Sequence, residues 1–106
     1  MSLNIELKDA KTAWRPGEEV EGDACWNYET PPPYLLLKLG WRCQGDFVTA
    51  VEERVENPAA GHAHHAFHLK APAGPWTFEG KLFQVRWCVR LEDPEGGSGE
   101  AEVSIR

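Results

Sequence analysis

The stretch Trp14-Arg15-Pro16-Gly17-Glu18-Glu19-Val20-Glu21-Gly22 decides the fold, because it writes a tight turn followed by the start of an alternating strand. Pro16 presets the φ of the second position of a type II turn, and Gly17 accepts the positive φ of the third. From there Val20, Gly22, Ala24 and Trp26 line one face, while Glu19, Glu21, Asp23, Cys25 and Asn27 line the other. A period of two with apolar residues on one side is the pattern of a half-buried strand.

Working outward, Leu3, Ile5 and Leu7 alternate with polar residues and predict a first strand before the corner. Pro31-Pro32-Pro33 forbids helix and forces an extended loop. Tyr34 to Cys43 is the most hydrophobic segment, with Leu35, Leu37, Leu39 and Trp41 on one face, and is expected at the centre of a sheet. Further strands are predicted at about Phe47 to Val55, at His64 to Lys70 with Phe67 and Leu69 inward, and at Leu82 to Glu92 with Phe83, Val85, Trp87, Val89 and Leu91 on one face. A short final strand carries Ala101, Val103 and Ile105, after the Gly-rich turn of Asp93 to Gly99. About seven strands separated by turn signals predict an all-β, immunoglobulin-like antiparallel β-sandwich.

The 106 residues are read as a single domain, residues 1–106, and a domain of that length buries roughly 65% of the surface its unfolded chain exposes. Apolar residues make up 42% of the chain, with five Trp, enough aromatic bulk for a two-layer core without disulfide or metal. No apolar run approaches the roughly 20 residues of a membrane span, so no transmembrane segment is expected. Met1 to Asp9 lacks the basic start and apolar centre of a signal peptide, which leaves the cytoplasm as the expected location. A net charge of −6 repels a phosphate backbone and argues against nucleic acid as a partner.

The corner run resembles the aromatic-x-Pro-Gly-Glu-x-Val-x-Gly signature that opens arrestin-like domains. Leu69-Lys70-Ala71-Pro72, then Pro75-Trp76-Thr77-Phe78-Glu79-Gly80, then Val85-Arg86-Trp87-Cys88-Val89-Arg90-Leu91 is similar to the second block of that family, in which a Pro-rich loop and a Gly precede a strand of the Val-x-Trp/Tyr-x-Val kind. The two blocks span about residues 3 to 92. The resemblance implies an arrestin-like sandwich acting as a non-enzymatic adaptor or scaffold for a protein partner. Arrestins join two sandwiches and this chain has the length of one, so no interdomain groove carries over, and a homodimer would be one way to rebuild a two-sandwich unit. Trp76 stands where the family often has a small polar residue.

Candidates for chemistry are few. All four His fall between Gly61 and His68, and on a strand His62, His64 and His68 share a face while His65 points away. Neutral imidazoles one strand step apart can hold Zn or Cu, so these three residues form an alternative, metal-binding reading beside that of a solvated edge strand. Cys25, Trp41 and Cys88 follow the chain order of an immunoglobulin core, yet both Cys lie on the faces opposite Trp26 and Trp87, which argues against a bridge. Lys38, Arg42, Arg86 and Arg90 point away from the core on two strands expected to be neighbours. They either form a basic binding patch or pair with Glu100 and Glu102, and cross-strand pairing is the preferred reading.

Pro31-Pro32-Pro33-Tyr34 matches the PPxY ligand of WW domains, but its Tyr opens a core strand, so a rigid loop is the better reading. Trp14 is expected to pack under its Pro-Gly corner. Trp76, whose flanking Gly74 and Pro75 suggest an exposed loop, is the candidate interface anchor. No nucleotide loop, GxSxG elbow, HExxH or facing carboxylate pair is found, and the only Ser are Ser2, Ser98 and Ser104. Protein binding without catalysis and without a cofactor is therefore the expected function, through loops or by strand addition at a sheet edge.

Overall fold

The computed structural model describes residues 2–43, 45–72, 78–79 and 84–105. In chain order the strands are β1 (Ser2–Leu7), β2 (Ala13–Trp14), β3 (Glu19–Tyr28), β4 (Tyr34–Cys43), β5 (Asp46–Glu56), β6 (Gly61–Lys70), β7 (Phe78–Glu79), β8 (Gln84–Glu92) and β9 (Ser98–Ile105), with a 3-10 turn at Lys8–Ala10. The fold is all-β with two sheets. One has the order β1-β3-β6, the other β2-β9-β8-β4-β5, with β7 paired beside β8. Every pairing is antiparallel except that of β2 with β9.

The corner before β3 folds as its sequence predicts. Glu18 N–H donates to the Arg15 carbonyl at 3.1 Å and Gly17 has φ +88°, the geometry in which a non-Gly residue would be strained. Gly17 N–H also donates to Ala71 O, and Ala71 N–H to Glu18 O, each at 2.9 Å, so the corner is tied to the end of β6. These bonds satisfy backbone groups that leave the strand ladders there.

The alternation of β3 becomes alternating burial, with Val20, Ala24 and Trp26 inside. They meet Phe67 and Leu69 of β6 and, from the other sheet, Leu35, Leu37 and Leu39 of β4, Trp87, Val89 and Leu91 of β8, and Val103 and Ile105 of β9 in one hydrophobic core. β4 runs between β5 and β8, as expected of the most apolar strand. Its partner β5 carries a bulge: Leu39 pairs with Val51 but Gly40 with Thr49, leaving Ala50 as the extra residue. Among the described residues there are nine strands rather than about seven, because β2 and β7 are two-residue pieces too short to show a period.

Trp14 is buried, as expected of a residue beside the corner, and belongs to a strand. It lies in β2, in register with Ile105, and is 4% exposed. Leu82 and Phe83, expected to start β8, lie outside the described residues, as does Trp76.

Candidate functional site

The outer face of the larger sheet holds the four basic residues singled out from sequence. In the β4–β8 register Lys38 stands opposite Arg90, and Arg42 opposite Arg86. Like charges directly opposed across a sheet repel, and acids from β8 and β9 are interleaved with them. Lys38 Nζ lies 2.5 Å from Glu92 Oε1, and Arg90 Nε 2.9 Å from Glu92 Oε2, though out of line for a hydrogen bond. Arg42 forks onto both oxygens of Glu100 at 2.7 and 3.0 Å, and Arg86 lies 3.8 Å from Glu102. The residues do gather: Arg42 and Arg86 pair with Glu100 and Glu102 as expected, whereas Lys38 and Arg90 lie against Glu92.

Aromatic rings complete this face. Phe47 on β5 lies against Gly40 and between the guanidinium groups of Arg42 and Arg90, each 5.8 Å from its centroid. Arg54 lies 4.0 Å from the centroid of Tyr34, which holds the first residue of β4 in place after the proline loop. Asn57 N–H donates to Pro33 O at 3.0 Å, a further tie on that loop. Beneath the charged layer Cys88 is 6% exposed, its Sγ 3.9 Å from Glu100 Oε2. Burial, followed by the Glu100 charge, pushes the Cys88 thiol up to about 11. Cys25, on the outer face of the smaller sheet, is likewise raised by burial and by Glu6 and Asp23. Neither thiol has the depressed pKa of an activated nucleophile, and Cys25, Cys43 and Cys88 are all free.

The outer face of the smaller sheet holds three of the four His. His62 Nε2 lies 3.5 Å from Asn27 Nδ2, His64 Nδ1 3.5 Å from Asp23 Oδ1, and His68 Nδ1 2.9 Å from Glu21 Oε1 and 3.6 Å from Glu19 Oε2. His65 faces the opposite way, 3.2 Å from Glu53 on β5. His62, His64 and His68 share the predicted face but do not converge. Four residues of strand at about 3.3 Å each separate His64 from His68 by roughly 13 Å of backbone. What converges instead is Glu19, Glu21 and His68, with one ligand atom from each within 4.8 Å of the others. His62 and His64 instead border an open hollow of about 490 Å³ with Asn4, Glu6, Asp23 and Cys25.

The convergence of Glu19 and Glu21 on His68 is the feature that reading one strand at a time misses. The β3–β6 register, with Glu21 opposite His68, creates it. Phe47 was missed for a related reason, since its position over Gly40 depends on the bulge at Ala50. No family model matches the sequence, and no curated protein matches it at a significant level.

Proposed function

We propose that this chain is an arrestin-like, immunoglobulin-type sandwich that acts without catalysis, as an adaptor or scaffold that binds another protein. The observation that carries this reading is the edge of β5. Among the described residues that strand ends the larger sheet and pairs only with β4, so half of its backbone donors and acceptors face outward along eleven residues. An unpaired strand of this length is a template for β-augmentation, in which an extended segment of a partner adds to the sheet. Val48 at this edge is 41% exposed, the one large hydrophobic side chain exposed among the described residues. The adjoining face offers Phe47 and the Arg42, Arg86 and Arg90 side chains, with Lys38 further along β4, for contacts that choose among partner strands. The two-sheet architecture and the type II corner at Pro16-Gly17 support the arrestin-like reading, and Trp76 belongs to the same proposal as a loop contact.

The test is affinity capture with the wild-type chain and two variants, Val48→Lys at the edge and Trp76→Ala in the loop. A partner lost by Val48→Lys and only weakened by Trp76→Ala is expected, because a charge on an edge strand blocks strand addition while the loop adds a secondary contact. The reverse pattern would move the binding surface to the loops. A dimer of the chain itself that Val48→Lys dissociates would replace the foreign partner by a second copy.

A further inference from the structure

We propose that Glu19, Glu21 and His68 form a binding site for a divalent transition-metal ion of the Zn²⁺ type. The site lies on the outer face of the smaller sheet, away from the β5 edge, and does not depend on the adaptor reading. It also differs from a site made of the three histidines of β6, which the strand rise holds too far apart.

Three observations carry the proposal. The first is spacing. A tetrahedral ion with ligands at about 2.0–2.2 Å sets its donor atoms roughly 3.4 Å apart. His68 Nδ1 lies 2.9 Å from Glu21 Oε1 and 3.6 Å from Glu19 Oε2, which brackets that value. All three donor atoms lie within 4.8 Å of one another, so side-chain movement alone closes them around an ion.

The second is the rigidity of the frame. Glu21 and His68 are direct cross-strand partners on β3 and β6, and Glu19 is the next residue on the same face. The β3–β6 ladder runs without interruption from Glu19↔Lys70 through Glu21↔His68, so the three donors project from paired backbone on adjacent strands. The register thus sets which side chains meet before any ion binds.

The third is the orientation of Glu21. Lys8 Nζ holds its Oε2 at 3.2 Å and turns Oε1 toward His68, the kind of outer contact that fixes a ligating carboxylate.

One imidazole nitrogen with two carboxylate oxygens suits Zn²⁺ and its neighbours better than Ca²⁺ or Mg²⁺, which take oxygen ligands in larger number. Three protein ligands leave a fourth position toward solvent. Beside Glu19 and Glu21 is an open hollow of about 400 Å³ that Lys8, Asp9, Lys11, Trp14 and Glu18 also line, with room for a water or an exogenous ligand on the ion.

The experiment is isothermal titration of the intact chain with ZnCl₂ at pH 7.5, with Co²⁺ absorption as a second readout of coordination. One equivalent is expected to bind in the micromolar range. His68→Ala and Glu19→Gln should each weaken it by roughly tenfold or more, while His64→Ala leaves it unchanged. All three side chains are largely exposed, and circular dichroism checks that each variant keeps its sheet signal. No binding in the wild type, an unchanged affinity in His68→Ala, or an equal loss in His64→Ala would overturn the assignment.

Discussion

Asp93 is the charged side chain that the core accepts among the described residues. Its Oδ2 accepts the Tyr28 hydroxyl at 2.7 Å, and its Oδ1 accepts the Gly97 and Glu95 amides at 2.7 and 2.9 Å. Burial alone would raise its pKa, but the Tyr28 hydroxyl and the amides of Gly97, Glu95 and Gly96 outweigh it and hold the carboxyl below its usual value. Tyr28 moves the other way, raised by burial and then by its bond to Asp93. A depressed carboxyl pKa adds stability that is present above the unfolded value of about 3.9 and is lost as pH falls through the folded one. Asp93→Asn should therefore lower stability at pH 7 by about 1.5–3 kcal/mol, the range for hydrogen bonds to a charged group. In urea titrations its deficit against wild type should shrink toward pH 3. A deficit that stays the same from pH 7 to pH 3 would mean that the carboxylate charge is not what the turn uses.

Strands of this chain owe their closeness to two glycines that face aromatic rings. A Cβ built on Gly22 would collide with the Glu6 carbonyl oxygen and lie 2.9 Å from the ring of Phe67. One on Gly40 would collide with the Val48 carbonyl oxygen and lie 2.8 Å from the ring of Phe47. Because the obstacle in each case includes backbone, the neighbouring strand must move, and overpacking of this kind costs about 1–3 kcal/mol. Gly22→Ala and Gly40→Ala are each expected to lose that much in chemical denaturation, and Gly40→Ala should also expose Phe47. A loss under 0.5 kcal/mol, the size of an ordinary surface substitution, would show that the strands are not held this tightly. The same positions show what sequence could reveal. The alternation of β3, β4 and β8 was legible because a period of two marks a buried face without knowledge of the partner strand. The ring over each glycine was not, since it depends on cross-strand register, which in β4 and β5 shifts at Ala50. β2 escaped notice because two residues carry no period, and its parallel partner lies some ninety residues away in register with Ser104 and Ile105. Glu19, Glu21 and His68 were separated in the same way: the histidines were compared along β6, whereas the donors come across from β3.

At the scale of the whole molecule, the core between the sheets is closed by packing, and no disulfide joins them among the described residues. Cys25 and Cys88 sit on the outer faces of different sheets, as the alternation around Trp26 and Trp87 predicts, so the core itself lies between them. Where the sheets do come close, they do so through backbone: β1 passes against β9 at Gly99, where a Cβ would collide with the Leu3 carbonyl oxygen. Reducing agent should therefore leave the urea midpoint unchanged, which equilibrium unfolding with and without dithiothreitol checks directly. Thiol chemistry offers the sharper test. With its pKa pushed up to about 11 and its side chain buried at the base of a hollow that Arg42 and Glu100 also line, Cys88 has little thiolate at neutral pH. Relative to a free thiol of pKa about 8.5, the thiolate fraction at pH 7.5 falls by roughly two orders of magnitude, and burial slows attack further. In native protein a disulfide reagent should modify Cys88 at least 100-fold more slowly than in urea. Arg42→Ala, which opens the hollow, should recover part of that rate. If Cys88 instead reacts in native protein as fast as in urea, the charged layer does not seal the outer face of the larger sheet, and the packing described for Phe47, Arg42 and Glu100 fails with it.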